Sequence, residues 1–156
     1  MRLRLSSRFP AMSSIASIRL APAAKTDLDA LLALCAAAGA DDPVATAQAC
    51  ARLKADFNVD HTTHIVVYGK RVGMVVARPE GTAVRVEHLY IHPDYQRQGI
   101  GAAVLNRIVA RGDAKGTPVR VRLPLDSQAR RFFQREGFDY VSDDGVGIEY
   151  VRYPQR

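Results

Sequence analysis

The sequence predicts an α/β (α+β) fold: a mixed, mostly antiparallel central sheet of about seven strands with helices on both faces. Three observations carry this expectation. The hydrophobic period changes along the chain from helical to alternating and back. Three consecutive β-branched runs are separated only by short turns, as in an antiparallel meander. The last of them is followed by a helix and a further strand, a βαβ unit whose two strands should be parallel. The element order reads β-α-α-β-β-β-α-β-α-β-β.

Each element has a local reason. Residues 17–21 alternate Ile18 and Leu20 with polar neighbours, as a short half-buried strand does. Residues 27–38 put Leu28, Leu31, Leu32 and Cys35 on one helical face, with Gly39 as the stop. Asp42 caps and Pro43 opens a second, alanine-rich helix that runs to about Asp56 and ends near Phe57. Residues 64–68 and 72–78 read as strands of a hairpin turning at Gly69, Lys70 and Arg71. Pro79, Glu80 and Gly81 form the next turn before the strand 83–91, on which alternation puts Arg85, Glu87, Leu89 and Ile91 on one face and His88 on the other. Residues 101–111 form a helix stopped by Gly112, and 119–123 a strand. Residues 127–136 form a helix with Ala129, Phe132 and Phe133 on one side and Gly137 as its left-handed cap. Residues 138–141 and 148–153 complete the sheet around a turn at Asp143, Asp144 and Gly145.

With 156 residues, 47% of them hydrophobic and 24% charged, the chain suits a single globular domain, placed at 15–156. Residues 1–14 carry Arg2, Arg4 and Arg8, and the first acidic residue is Asp27. They read as a disordered extension, or as lying upstream of a start at Met12, rather than as a transit peptide. No apolar run approaches the roughly 20 residues of a membrane span, so no membrane partner is expected. Cys35 and Cys50 have no zinc-type spacing and read as core residues of a cytoplasmic protein. No metal is expected. A net charge of +6 admits polyanions as partners, and Arg107, Arg111, Lys115, Arg120, Arg122, Arg130, Arg131 and Arg135 supply much of it. No recognition helix or RNA platform accompanies them, so nucleic acid is not expected.

The segment Gln96, Arg97, Gln98, Gly99, Ile100 and Gly101 lies between a strand and a helix. Glycine there permits positive φ and close backbone approach. The first turn of a helix offers unpaired N–H groups and partial positive charge, which suit an anion such as a pyrophosphate, and Arg97 would add a charged contact. No Gly-Lys-Ser/Thr follows, so this is not a Walker loop, and Val104 stands where a dinucleotide fingerprint needs glycine.

The longer string from Glu87 to Leu105, EHLYIHPDYQRQGIGAAVL, resembles the core motif of the GNAT superfamily of acyl-CoA-dependent N-acyltransferases: a strand ending in L-x-V/I, a proline turn, then Q/R-x-x-G-x-G/A. A second family motif, N-x-x-A-x-x-F-Y-x-x-x-G-F, is matched from Asp126 to Phe138. The resemblance extends over roughly residues 17–153 and implies an N-acetyltransferase using acetyl-CoA on a primary amine of a small molecule or peptide. It implies that backbone groups of Leu89, Tyr90 and Ile91 pair with the pantetheine arm. Backbone N–H groups through Arg97, Gln98, Gly99, Ile100, Gly101 and Ala102 would hold the pyrophosphate, with Gln96 opening the turn. Asp126, Ala129, Phe132 and Phe133 would line the thiol end.

The family often places a general base where Glu87 stands; a structural ion pair with a basic neighbour such as Arg85 is the alternative for that residue, and His88 the alternative base. Phe133 departs from the tyrosine whose phenol protonates the leaving thiolate in many members, and phenylalanine has no proton to give. Water, Tyr140 or Tyr150 would then supply it, or the chain is a CoA-binding regulatory module with weak or no catalysis. In this fold the acceptor groove is built near the link between the first two helices and the loop before the last strand. Asp41, Asp42, Asp143 and Asp144 stand there and would suit a cationic amine. The oligomeric state, monomer or homodimer, stays open.

Overall fold

The computed structural model describes residues 17–155. They form two compact units: residues up to Val76 with His88–Ala103, and Ala77–Glu87 with the residues from Val104 onward. The proposed N-terminal extension, 1–14, lies outside the described residues.

The first unit opens with β1 (Ile18–Pro22), a 3-10 turn (Lys25–Asp27), α1 (Leu28–Ala38) and α2 (Pro43–Asp56). β2 (Thr62–Val67) pairs antiparallel with β1, Ile18 opposite Val67, and with the first part of β3 (Lys70–Glu80), Thr62 opposite Val76. Leu31 and Cys35 of α1 meet Leu53 of α2 and Met74 and Val76 of β3 in one buried cluster, against which Cys50, Phe57 and Tyr90 pack. The apolar stripe expected on α1 is therefore the stripe that is buried. Burial pushes the Cys35 thiol up to about 12, with Cys50 beside it contributing. Neither cysteine is in a disulfide.

Three local details differ from expectation or sharpen it. The β2–β3 turn is Tyr68 and Gly69, both at positive φ (50° and 79°), the combination a two-residue type I′ hairpin requires, so Lys70 and Arg71 already belong to the strand. Gly39 does end α1, but at φ −107° rather than left-handed. Its reason is space: a Cβ there would lie 2.1 Å from Thr46 Oγ1, which donates to the Gly39 carbonyl. Asp42 caps α2 as expected, its Oδ1 accepting the Ala45 N–H at 3.2 Å. Below α1, Asp27 ties the 3-10 turn to the sheet: it accepts from His64 Nε2 (2.8 Å), Arg71 (3.2 Å) and the Ala24 N–H (2.8 Å). That last bond leads the causes that hold the Asp27 carboxyl down to about 2.

The second unit holds the start of β4 (Ala83–Ile91), most of α3 (Ile100–Lys115), β5 (Val119–Pro124), α4 (Arg130–Arg135), β6 (Asp139–Asp143) and β7 (Gly147–Arg152). β4 and β5 are parallel, Val84 opposite Val119, as the βαβ reading requires. β7 pairs antiparallel with β5 and with β6. α3 does not stop at Gly112. It runs on to Lys115 and ends at Gly116, φ +67°, where Gly116 N–H reaches Asp113 O and Thr117 N–H reaches Gly112 O (2.8 Å), a Schellman close. Gly112 serves packing instead: a Cβ would lie 2.6 Å from the Thr117 carbonyl.

α4 starts at Arg130, three residues later than expected, because Ser127 Oγ accepts the Ala129 N–H and closes a local turn that competes with helix. Gly137, φ +91°, caps it as anticipated, with Phe138 N–H on Phe133 O. The seven strands form one sheet, ordered β1-β2-β3-β4-β5-β7-β6.

Candidate active site

The turn of Gln96 to Gly101 belongs to the first unit and is built from the end of β4 outward. After Ile91, a 3-10 turn (Pro93–Tyr95) is capped by His92, whose Nδ1 accepts the Asp94 N–H at 3.1 Å. Gln96 folds back, its Nε2 donating to Ile91 O at 2.8 Å, which fixes the turn to the strand end. Arg97 and Gly99 both take left-handed backbone, φ +63° and +79°. For arginine that conformation costs about 1–2 kcal/mol, and strain of this kind persists where the surroundings hold it for a purpose. Alternating left-handed residues at a helix start turn successive N–H groups towards one concavity, an anion-binding nest.

The first α3 bond runs from Ala103 N–H to Gly99 O (3.0 Å), so the N–H groups of Ile100, Gly101 and Ala102 precede any intrahelical partner. Ile100, 1% exposed, anchors the helix start. A Cβ on Gly101 would meet only Ile91 Cγ1, at 3.8 Å, among the described residues. Open space, donors and positive potential thus coincide in this turn, the set a pyrophosphate needs.

At the end of β4, Val72 O accepts the His92 N–H at 2.7 Å, which ties the strand end that precedes the turn to β3.

Glu87 lies in the second unit within a chain of alternating charge. Its Oε2 is 3.0 Å from Arg78 Nε, the Arg78 Nη2 is 3.5 Å from Glu80, Arg85 donates to Glu80 at 2.7 Å, and Arg85 reaches Glu149 at 2.6 Å. Glu87 thus pairs with Arg78, not with the Arg85 that sequence adjacency suggested. Arg85 beside Glu80 holds that carboxyl below its usual range. A turn placed at Gly81 and Thr82, instead of at Pro79 to Gly81, would have revealed Arg78: it sets Arg78 across from Arg85 and diagonal to Glu87.

His88 is buried, and its Nδ1 is hydrogen-bonded to the Tyr90 hydroxyl at 2.9 Å. Burial pushes the Tyr90 phenol well above its ordinary value, with Cys35 contributing. At the second motif, Asp126 is exposed, Ala129 and Phe132 are half-buried, and Phe133 is buried with its ring edge-on to Phe132 (5.1 Å) and Phe138 (5.3 Å). Tyr150 is buried; Tyr140 is exposed and donates to Asp143 Oδ2 at 2.9 Å, a bond that raises its phenol pKa.

The four acidic candidates are divided between the units. Asp42 is the α2 cap, and Asp41 precedes it. Asp143 also accepts the Gly145 N–H, while Asp144 accepts from Gly147 and Val146 N–H and from Arg122 at 2.7 Å. Those bonds hold the Asp144 carboxyl down to about 2, the Gly147 N–H foremost. Among the described residues no group of three His, Cys, Asp or Glu is placed to hold a metal, and no helix is long and apolar enough to cross a membrane.

Residues 60–140 match the family described as acetyltransferase (GNAT) domain. Among solved structures, the chain is similar to the PaiA N-acetyltransferase from Thermoplasma acidophilum, crystallised with coenzyme A: 14% identity, 88% of this chain and 99% of that one, TM-score 0.67. It is similar to an acetyltransferase from Thermus thermophilus at 23% identity, over 88% and 97% of the two chains, TM-score 0.67. The ribosomal-protein alanine N-acetyltransferase from Escherichia coli matches at 17% identity over 86% and 90%, TM-score 0.61. At these identities the structures carry the fold alone.

Proposed function

Because this chain belongs to the GNAT acetyltransferase family and is an acyltransferase, we propose that it moves an acetyl group from acetyl-CoA directly to a primary amine of a small molecule or peptide. The observation that carries the reading is the turn of Arg97 and Gly99, two left-handed residues opening α3. The residues present fit coenzyme A: the nest and the α3 start would hold the pyrophosphate, with Gln96 fixing the turn and Arg97 to Ala102 supplying N–H groups. Leu89, Tyr90 and Ile91 would pair with the pantetheine arm, and Asp126, Ala129, Phe132 and Phe133 would line the thiol end.

In the transfer, the amine nitrogen attacks the thioester carbon, the C–S bond breaks, and coenzyme A leaves as a thiolate. Glu87 takes the ammonium proton, directly or through water. The thiolate is protonated by solvent, Tyr140 or Tyr150; the thiolate is a good leaving group, so Phe133 does not forbid catalysis. Asp41, Asp42, Asp143 and Asp144 would offer their remaining lone pairs to a cationic acceptor. The protein would work in the cytoplasm without a metal, as one domain over 15–156, monomeric or as a homodimer. Phe133 favours a second reading, a CoA-binding module with weak or no catalysis. Thiol release from acetyl-CoA over an amine panel tests both: amine-dependent release supports transfer, and tight CoA binding without it supports the module.

A further inference from the structure

We propose that Arg78 selects the acceptor, making this site fit amines that carry an anionic group beside the nitrogen, such as free amino acids. The inference rests on the reading of Glu87 as the base. Arg78 and Glu87 form the outer end of the charge chain: Arg85 is pinned between Glu80 and Glu149 and is 15% exposed, whereas Arg78 is 38% exposed. Arg78 uses Nε on Glu87 and only a long 3.5 Å contact on Glu80, so the outer edge of its planar fork faces solvent.

A half-exposed cation and a carboxylate 22% exposed, 3.0 Å apart, present a dipole, and its complement is a molecule with both charges in the reverse order. A simple monocation approaching Glu87 meets the Arg78 charge beside it. A zwitterion meets no such opposition: its carboxylate takes the outer edge of the Arg78 fork in a bidentate contact and its ammonium takes Glu87. The ammonium then lies on the Glu87 oxygen that Arg78 does not hold, so the proton can pass from nitrogen to Glu87. Arg122 and Asp144 form another exposed pair, 2.7 Å apart, but that carboxylate also accepts the Val146 and Gly147 N–H groups and is not read as the base.

The test measures thiol release from acetyl-CoA with free L-amino acids, their carboxamides and an aliphatic diamine, in the wild type, Arg78→Gln and Arg78→Lys. The wild type is expected to prefer acids over the matching amides by about tenfold or more in kcat/KM, mostly through KM. Arg78→Gln should erase that ratio, and Arg78→Lys, which keeps charge without the fork, should restore part of it. Acids and amides within threefold of each other in the wild type would overturn the selectivity while leaving amine acetylation intact. No release above hydrolysis with any of these acceptors would overturn the Glu87 reading and this inference with it.

Discussion

Substituting Gly99 by glutamate separates the phosphate turn from the rest of the fold. Gly99 sits at φ +79°, so any side chain there costs about 1–2 kcal/mol of folding free energy. For a domain of this size that corresponds to a fall in Tm of roughly 2–8 °C. The effect on the ligand is larger. A carboxylate about 5 Å from one pyrophosphate charge, at an effective dielectric constant near 20, repels it by about 3 kcal/mol. The side chain would also compete for the space beside the Arg97 and Gly99 backbone. Coenzyme A affinity should therefore fall by about 100-fold or more, since about 2.7 kcal/mol suffices for that factor. Gly99→Ala carries the backbone cost without the charge and should lose no more than about tenfold. Calorimetric titration of coenzyme A into the three proteins, with thermal melts alongside, makes the comparison. Wild-type affinity in a folded Gly99→Glu protein would refute the assignment of the pyrophosphate to this turn.

Further outcomes follow from other positions. Phe133→Tyr should raise kcat by less than about threefold, because thiolate departure does not wait for a phenol; a tenfold gain in steady-state rate would show that proton supply limits the reaction. Gly39→Ala should destabilise by about 1–3 kcal/mol in denaturant titration, since its Cβ would meet Thr46 Oγ1 at 2.1 Å. The double variant with Thr46→Ala should recover the packing part of that loss. The Asp27 carboxyl, depressed from 3.8 to about 2 in the fold, stabilises fully above its ordinary value, and this contribution is lost as pH falls towards 2. Melts between pH 5 and pH 2 should show a shallower loss of Tm in Asp27→Asn than in the wild type; equal slopes would contradict the assigned role.

Where a residue's role is set by its near neighbours, the sequence was a good guide. Asp42 and Pro43 start α2, Gly137 ends α4, and β4 spans 83–91 as read, because caps and β-branched runs act within a few residues. Gly112 misled because its carbonyl and its missing Cβ answer to Thr117 across the helix end. In the candidate site, the glycines flagged the turn at 96–101, yet nothing in the identity of an arginine announces the positive φ of Arg97. The partner of Glu87 depended on hairpin register, and a turn placed two residues early put the wrong arginine beside it.

Acetyl transfer to an amine, with Glu87 as the base, is the step on which the proposed mechanism stands. Amine-dependent thiol release from acetyl-CoA, measured in the wild type and in Glu87→Gln with coenzyme A affinity recorded for both, probes it without intermediaries. The expected result is turnover above hydrolysis in the wild type, a loss of about 100-fold in kcat for Glu87→Gln, and coenzyme A binding within threefold of the wild type. Tight coenzyme A binding with no amine raising release above hydrolysis, or a Glu87→Gln enzyme as fast as the wild type, would contradict it.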